Sequence, residues 1–152
     1  MKKFIVVIFA LTIYACGQKS SETNANTPPP KSMITKPKAD DGKGIGPFTS
    51  VTLNDPLEQS MIDNGKAIYD MKCSACHRLS ATRIVGPGFK GVTEKRKPEW
   101  IMNMITNVDV MLDKDPEAQK LLEECLTRMP NQNVLPDDAR DVLEFLFSND
   151  VN

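Results

Sequence analysis

Two thiols one helical turn apart, with an imidazole directly after the second, make Cys73-Ser74-Ala75-Cys76-His77 the stretch of this chain best equipped for chemistry. Each thiol can add to a vinyl group of a porphyrin and form a thioether, and the next residue then lies under the iron. The run is the attachment signature of a c-type haem, with His77 expected as the proximal ligand. Three other uses of these residues compete with that reading. A thioredoxin-like redox pair would also be Cys-x-x-Cys, but it sits in a βαβ setting, whereas the residues before Cys73 read as a helix. A structural zinc ion accepts Cys₃His sets and would recruit Cys73, Cys76, His77 and the distant Cys125, although adjacent Cys76 and His77 make an awkward pair for one tetrahedral ion. The third is a chance pentapeptide in a structural helix, since short motifs mislead.

The elements that must position these residues are helical. Asp55-Pro56 combines a cap residue with proline at a first helical position, and predicts a helix through about Met71 with Leu57, Met61, Gly65, Ile68 and Tyr69 on one side. Lys97-Pro98-Glu99-Trp100 opens a second helix, in which Trp100, Ile101, Met104 and Ile105 recur at helical spacing. Asp115-Pro116 repeats the cap-and-proline device and starts a third, carrying Leu121 and Leu122. Pro136-Asp137-Asp138 puts proline and two acids in the first turn of a fourth, where acids complement the helix dipole. There Ala139, Val142, Leu143 and Leu146 follow the spacing of a core face. Strand signals are absent, so residues 55–152 are expected to form one all-α domain of about four helices around one covalently bound haem. About a hundred residues bury only a modest core, and a porphyrin would supply much of what is lacking.

With these residues in view, the segment 61–147 resembles a class I cytochrome c. The resemblance implies that a small residue in the first helix lets it cross the last one closely. Gly65, with Tyr69 four residues later, fits that position, and Val142, Leu143 and Leu146 would be its partners. Gly65 can also be read as a glycine merely tolerated inside a helix, at about 1 kcal/mol. The loop Gly86-Pro87-Gly88-Phe89 is similar to the family's proximal loop, so the Pro87 carbonyl would accept the His77 imidazole N–H and orient the ring; a plain turn is the alternative. Met129-Pro130 looks like the family's methionine loop in sequence and in order along the chain, which implies Met129 as the sixth ligand. A thioether suits low-spin iron and raises its potential relative to a second imidazole. Met102 and Met104 lie inside a helix of core periodicity, and Met111 is a stronger rival. Trp100 is read as either core or a contact to the haem edge or a propionate through its indole N–H. Lys95 and Arg96 either neutralise propionates or are solvated.

The N-terminus reads as targeting and tether. Lys2 and Lys3 precede an apolar run from Phe4 to Ile13, too short to span a bilayer as a permanent helix. Ile13-Tyr14-Ala15-Cys16 then resembles a bacterial lipoprotein signal, which implies removal of residues 1–15 and a lipid on Cys16, although Tyr14 is bulkier than the small residue usual there. The competing reading is an ordinary thiol after a secretory signal. Residues 16–54, rich in Ser, Asn, Thr and Lys with Pro28-Pro29-Pro30, bury too little apolar surface to offset ordering. Treated as a flexible coil, the 34 residues from 17 to about 50 would reach about 30 Å. Within it Ile45 and Phe48 are candidates for packing on the domain. With Cys16 assigned to lipid and Cys73 and Cys76 to haem, the last of four cysteines, Cys125, has no disulfide partner; it is expected as a small buried residue on a helix, with intermolecular pairing the alternative.

A closed His/Met iron moves single electrons with little reorganisation and binds gases or peroxide poorly. The resemblance therefore implies an electron carrier and not an enzyme, working between a redox donor and acceptor such as a respiratory complex and a terminal oxidase or reductase. The expected setting is the periplasmic side of the cell envelope, with a lipid anchor to the membrane and a monomeric state. The single histidine is already committed, so an obvious general base is missing. A di-haem peroxidase would need a second Cys-x-x-Cys-His run, and the sequence has none. A haem-based gas-binding or sensor protein with an open distal site is the alternative function; the four-helix cytochromes of that kind carry their motif near the C-terminus, whereas here half the chain follows His77. Net charge is only −1 and suggests no nucleic-acid role, but it is unevenly spread. Arg78, Arg83, Lys90, Lys95, Arg96 and Lys97 face Glu94 alone in 78–97, while acids dominate 109–124. The basic segment is either a solvated face or a docking border for an acidic partner.

Overall fold

The structure, a computed structural model, describes residues 41–151. The proposed signal, Cys16 and most of the tether lie outside the described residues. Six helices follow in order: α1 Gln59–Lys72, α2 Val92–Lys95, α3 Pro98–Thr106, α4 Val108–Lys114, α5 Pro116–Cys125 and α6 Pro136–Val151. Among the described residues there are no strands, only one isolated bridge between His77 and Arg83. The expected all-α architecture is the one found, with two short helices, α2 and α4, beyond the four anticipated.

Helices α1 and α6 cross at Gly65. A Cβ added there would lie 2.1 Å from the Asp141 carbonyl oxygen and 2.9 Å from Phe145 Cβ, so only glycine permits this approach. Val142, Leu143 and Leu146 are buried as expected. However, the atoms nearest Gly65 belong to Asp141 and Phe145, because at so close a crossing backbone meets backbone. One turn on, the Tyr69 ring packs on Phe145 with centroids 5.5 Å apart.

The start of α1 departs from expectation. Asp55-Pro56 does not open it; residues up to Glu58 stay non-helical and the helix begins at Gln59. The Glu58 N–H donates to Glu144 Oε1 on α6 at 3.1 Å, so a tertiary partner holds that backbone extended and overrides the local signal. Glu144 is fully buried and its other oxygen accepts from Arg140. At Asp115-Pro116 the same device works: Asp115 Oδ1 accepts the Ala118 N–H at 2.8 Å and caps α5.

The domain also extends further toward the N-terminus than the expected boundary at 55. Residues 41–54 form a strap whose first part, Lys43 to Phe48, is bonded to α3 and the turn into α4, while the Thr52 carbonyl accepts from Arg140 of α6 and Asn54 donates to Met61 of α1. Phe48, Val51 and Leu53 pack against the core. Asn103 of α3, 1% exposed, donates to the carbonyls of Lys43 and Phe48 and accepts from the Phe48 N–H. Asn107 donates to the Ile45 carbonyl. Ile45 itself is 37% exposed, so its backbone rather than its side chain makes the attachment.

Candidate haem site

Helix α1 ends where the thiols begin. The Cys73 N–H still bonds the Tyr69 carbonyl, and the Cys76 and His77 N–H groups turn back to the Cys73 carbonyl at 3.0 and 2.9 Å. This tight turn puts both cysteines and His77 on the wall of one cavity of about 700 Å³, within the size range of small-molecule and cofactor pockets. Most of its lining is apolar, from Ile101, Met104 and Ile105 of α3 to Leu121 and Leu122 of α5.

His77 is 8% exposed and held from three directions. Its Nδ1 lies 2.9 Å from the Pro87 carbonyl oxygen. A carbonyl only accepts, so Nδ1 carries the proton and the Nε2 lone pair is left for a metal. The Phe89 ring stacks on the imidazole with centroids 4.4 Å apart, and the Tyr69 hydroxyl donates to the His77 carbonyl at 2.7 Å. Burial pushes the His77 pKa down while the Pro87 bond pulls it up, with a net lowering that favours the neutral ring a metal needs. Gly86 backs onto the ring so closely that a Cβ would sit 2.3 Å from His77 Cε1.

Met129 lies in the loop between α5 and α6, half-buried, and lines the same cavity. Arg128 ties the loop to α4 by a 2.9 Å pair with Asp113 and a 3.5 Å pair with Asp109. Lys72 donates to the Gln132 carbonyl. Of the rival thioethers, Met104 also lines the cavity. Met102 and Met111 are buried outside its lining, and Met111 Sδ accepts the Ile45 N–H of the strap at 3.0 Å.

Other expectations are sharpened or corrected. The Trp100 ring lines the cavity, but its indole N–H is spent on Asp115 Oδ1 at 3.0 Å and is not offered to a propionate. Arg96 lies over that ring at 4.7 Å and pairs with Glu117 at 2.9 Å, so it is not simply solvated. Cys125 ends α5 half-buried on the cavity wall and not in the deep core. The zinc alternative fails on geometry: among the described residues no three His, Cys, Asp or Glu side chains converge to hold an ion. The redox-pair alternative fails on electrostatics. Reactive thiols have lowered pKa values, often at a helix N-terminus, whereas Cys73 follows a helix C-terminus and burial pushes its thiol up.

Paired thiols, an oriented imidazole and a thioether around an apolar cavity fit a porphyrin held by thioether bonds. The fold and cavity define a small all-helical protein built around one covalent haem. A family model, cytochrome c, matches residues 62–150. The chain is 27% identical over 63 residues to a cytochrome c-553-like protein of Synechocystis sp., which covers 40% of this chain and 60% of that relative. It is 31% identical to a solved cytochrome c from Rhodothermus marinus, with a TM-score of 0.70 over 74% of this chain and 97% of that one. An engineered form of that protein, solved bound to a carbene intermediate, gives a TM-score of 0.67 at 31% identity over the same shares. The chain belongs to the cytochrome c family and carries one covalently bound haem c with its iron.

Proposed function

We propose that this protein is a one-electron carrier whose iron is held by His77 and Met129 and whose haem is bonded to Cys73 and Cys76. When bound, the haem supplies a one-electron iron couple whose potential depends on its axial ligands and burial. The observation that carries the reading is the bond from His77 Nδ1–H to the Pro87 carbonyl, which leaves the Nε2 lone pair of a cavity-lining residue free to hold the metal. Fixing the tautomer and enriching the ring tunes ligand basicity. Met129 lines that cavity from a loop that spans it to α4 and α1 through Arg128 and the Lys72 bond. Two retained ligands leave no open position, which suits outer-sphere transfer and disfavours gas binding. Carbon monoxide mixing with the reduced protein tests this: negligible binding is expected, and rapid binding would favour the gas-sensor alternative.

The partners are inferred to be acidic redox proteins of a respiratory chain, including a terminal oxidase or reductase. Lys72, Arg83, Lys90, Lys95, Arg96 and Arg128 line the cavity, against Glu124. Lys72, Arg83 and Lys95 bond backbone carbonyls, which leaves their charge uncancelled. Such a rim raises the encounter rate with a negative partner at low salt. Ferricyanide serves as a small anionic acceptor; its reduction should slow as ionic strength rises, and indifference to salt would contradict steering. The lipid on Cys16 and the periplasmic setting are proposed from Ile13-Tyr14-Ala15-Cys16. Labelled fatty acid should enter the wild type and not Cys16→Ala, and label in neither would remove the anchor.

A further inference from the structure

We infer that the strap of residues 41–54 is a positioning element for the haem, acting through Trp100. Helix α3 has two working faces. One lines the cavity with Trp100, Ile101, Met104 and Ile105; the other carries Asn103, which binds the strap by three hydrogen bonds. The two faces meet at Trp100, whose outer edge touches Gly44. There φ is +73°, and an added Cβ would lie 2.7 Å from Met111 Cε, 2.9 Å from Met111 Sδ and 3.1 Å from Trp100 Cδ1. Met111 ends in a flexible thioether, but it is fully buried and its Sδ accepts the N–H of the next residue, Ile45, so its retreat costs packing and that bond. Asp115 fixes the indole N–H and Arg96 covers a ring face. With those sides taken, added bulk at Gly44 drives the indole toward the cavity and the haem. The strap thus sets the packing and burial of one haem wall, and through burial the iron's reduction potential.

Glycine 42 provides an internal control. It has the same left-handed φ of +73°, but its Cβ would meet only the flexible Lys97 side chain, at 3.6 Å. Gly42→Ala therefore carries the backbone strain without the collision. Trp100 is the only tryptophan in the chain, so indole emission reports this wall alone. This inference rests on the haem lying in the cavity, and haem content of each full-length variant is measured first by pyridine haemochrome. A wild type without covalent haem would overturn the haem reading itself. In loaded protein, Gly44→Ala is expected to change the quenching of Trp100 emission and shift the reduction potential, while Gly42→Ala leaves both at wild-type values. Unchanged emission and potential in Gly44→Ala, or an equal change in Gly42→Ala, would overturn the proposal. Should Gly44→Ala not fold, Asn103→Ala releases the strap without adding bulk; the same two readouts must move, and their constancy would equally sink the idea.

Discussion

The two loops that flank the cavity are built by different physics. The loop after His77 is tied by short bonds among buried or backbone groups: Gly86 N–H to the Cys76 carbonyl at 2.9 Å, Phe89 N–H to the Arg78 carbonyl at 2.7 Å, His77 to Pro87, and the Phe89 stack. The loop carrying Met129 opens at Leu126, 88% exposed, and apart from the part-buried Lys72 bond to the Gln132 carbonyl it is held by Arg128 pairs that face solvent. Exposed pairs contribute little and are screened by salt, whereas buried bonds are not. The imidazole side is consequently the more firmly held, and the Met129 side is expected to open first.

The largest effect should come from removing the covalent tie that serves both sides. Cys73→Ala with Cys76→Ala is expected to abolish covalent haem, read as complete extraction of haem by acidified acetone; retained haem would contradict the attachment. Next, Gly86→Ala attacks the rigid side. Its Cβ has no room beside the His77 ring, and overpacking there should cost about 3 kcal/mol in guanidinium unfolding. A change well under about 1 kcal/mol would mean that this side yields as readily as the other.

On the softer side, Met129→Ala should keep its haem, lower the potential and admit carbon monoxide. Arg128→Ala is the finer probe: Met129 stays, yet added imidazole should capture the iron faster than in wild type, and raising salt should bring wild type toward the variant. The smallest effect is expected at Asp150 of α6, which accepts from the Gly91 and Thr93 N–H groups and the Thr93 hydroxyl. Burial pushes its carboxyl up, but those bonds outweigh it and hold it below the usual range. A lowered folded pKa gives stability that is present above the unfolded value and lost as pH falls through the folded one. Asp150→Asn should therefore flatten the acid limb of the stability profile while leaving neutral-pH ligand exchange unchanged.

The contrast between the loops also marks what was readable in the sequence. Thiol spacing, the Asp115-Pro116 cap and the apolar spacing of α6 are local signals, and they placed the motif and the helices that support it. Pro87 and Met129 were legible only through resemblance, since nothing local says that a proline carbonyl will face an imidazole ten residues earlier. Helix α4 was missed although Val108, Met111 and Leu112 have helical spacing, because its seven residues carry no proline or side-chain cap of the kind that marked the four anticipated helices. The early start assigned to α1 and the late start assigned to the domain share one cause. Glu144 and Asn103 satisfy backbone groups tens of residues away, and such pairings leave no trace in composition.

Iron ligation by His77 and Met129 is tested most directly by proton NMR of the reduced, haem-loaded protein. An iron-bound methionine has its methyl resonance shifted far upfield by the porphyrin ring current. That resonance is predicted in wild type and in Met104→Leu, and absent from Met129→Ala. Its persistence in Met129→Ala, or its loss in Met104→Leu alone, would place the sulfur ligand elsewhere.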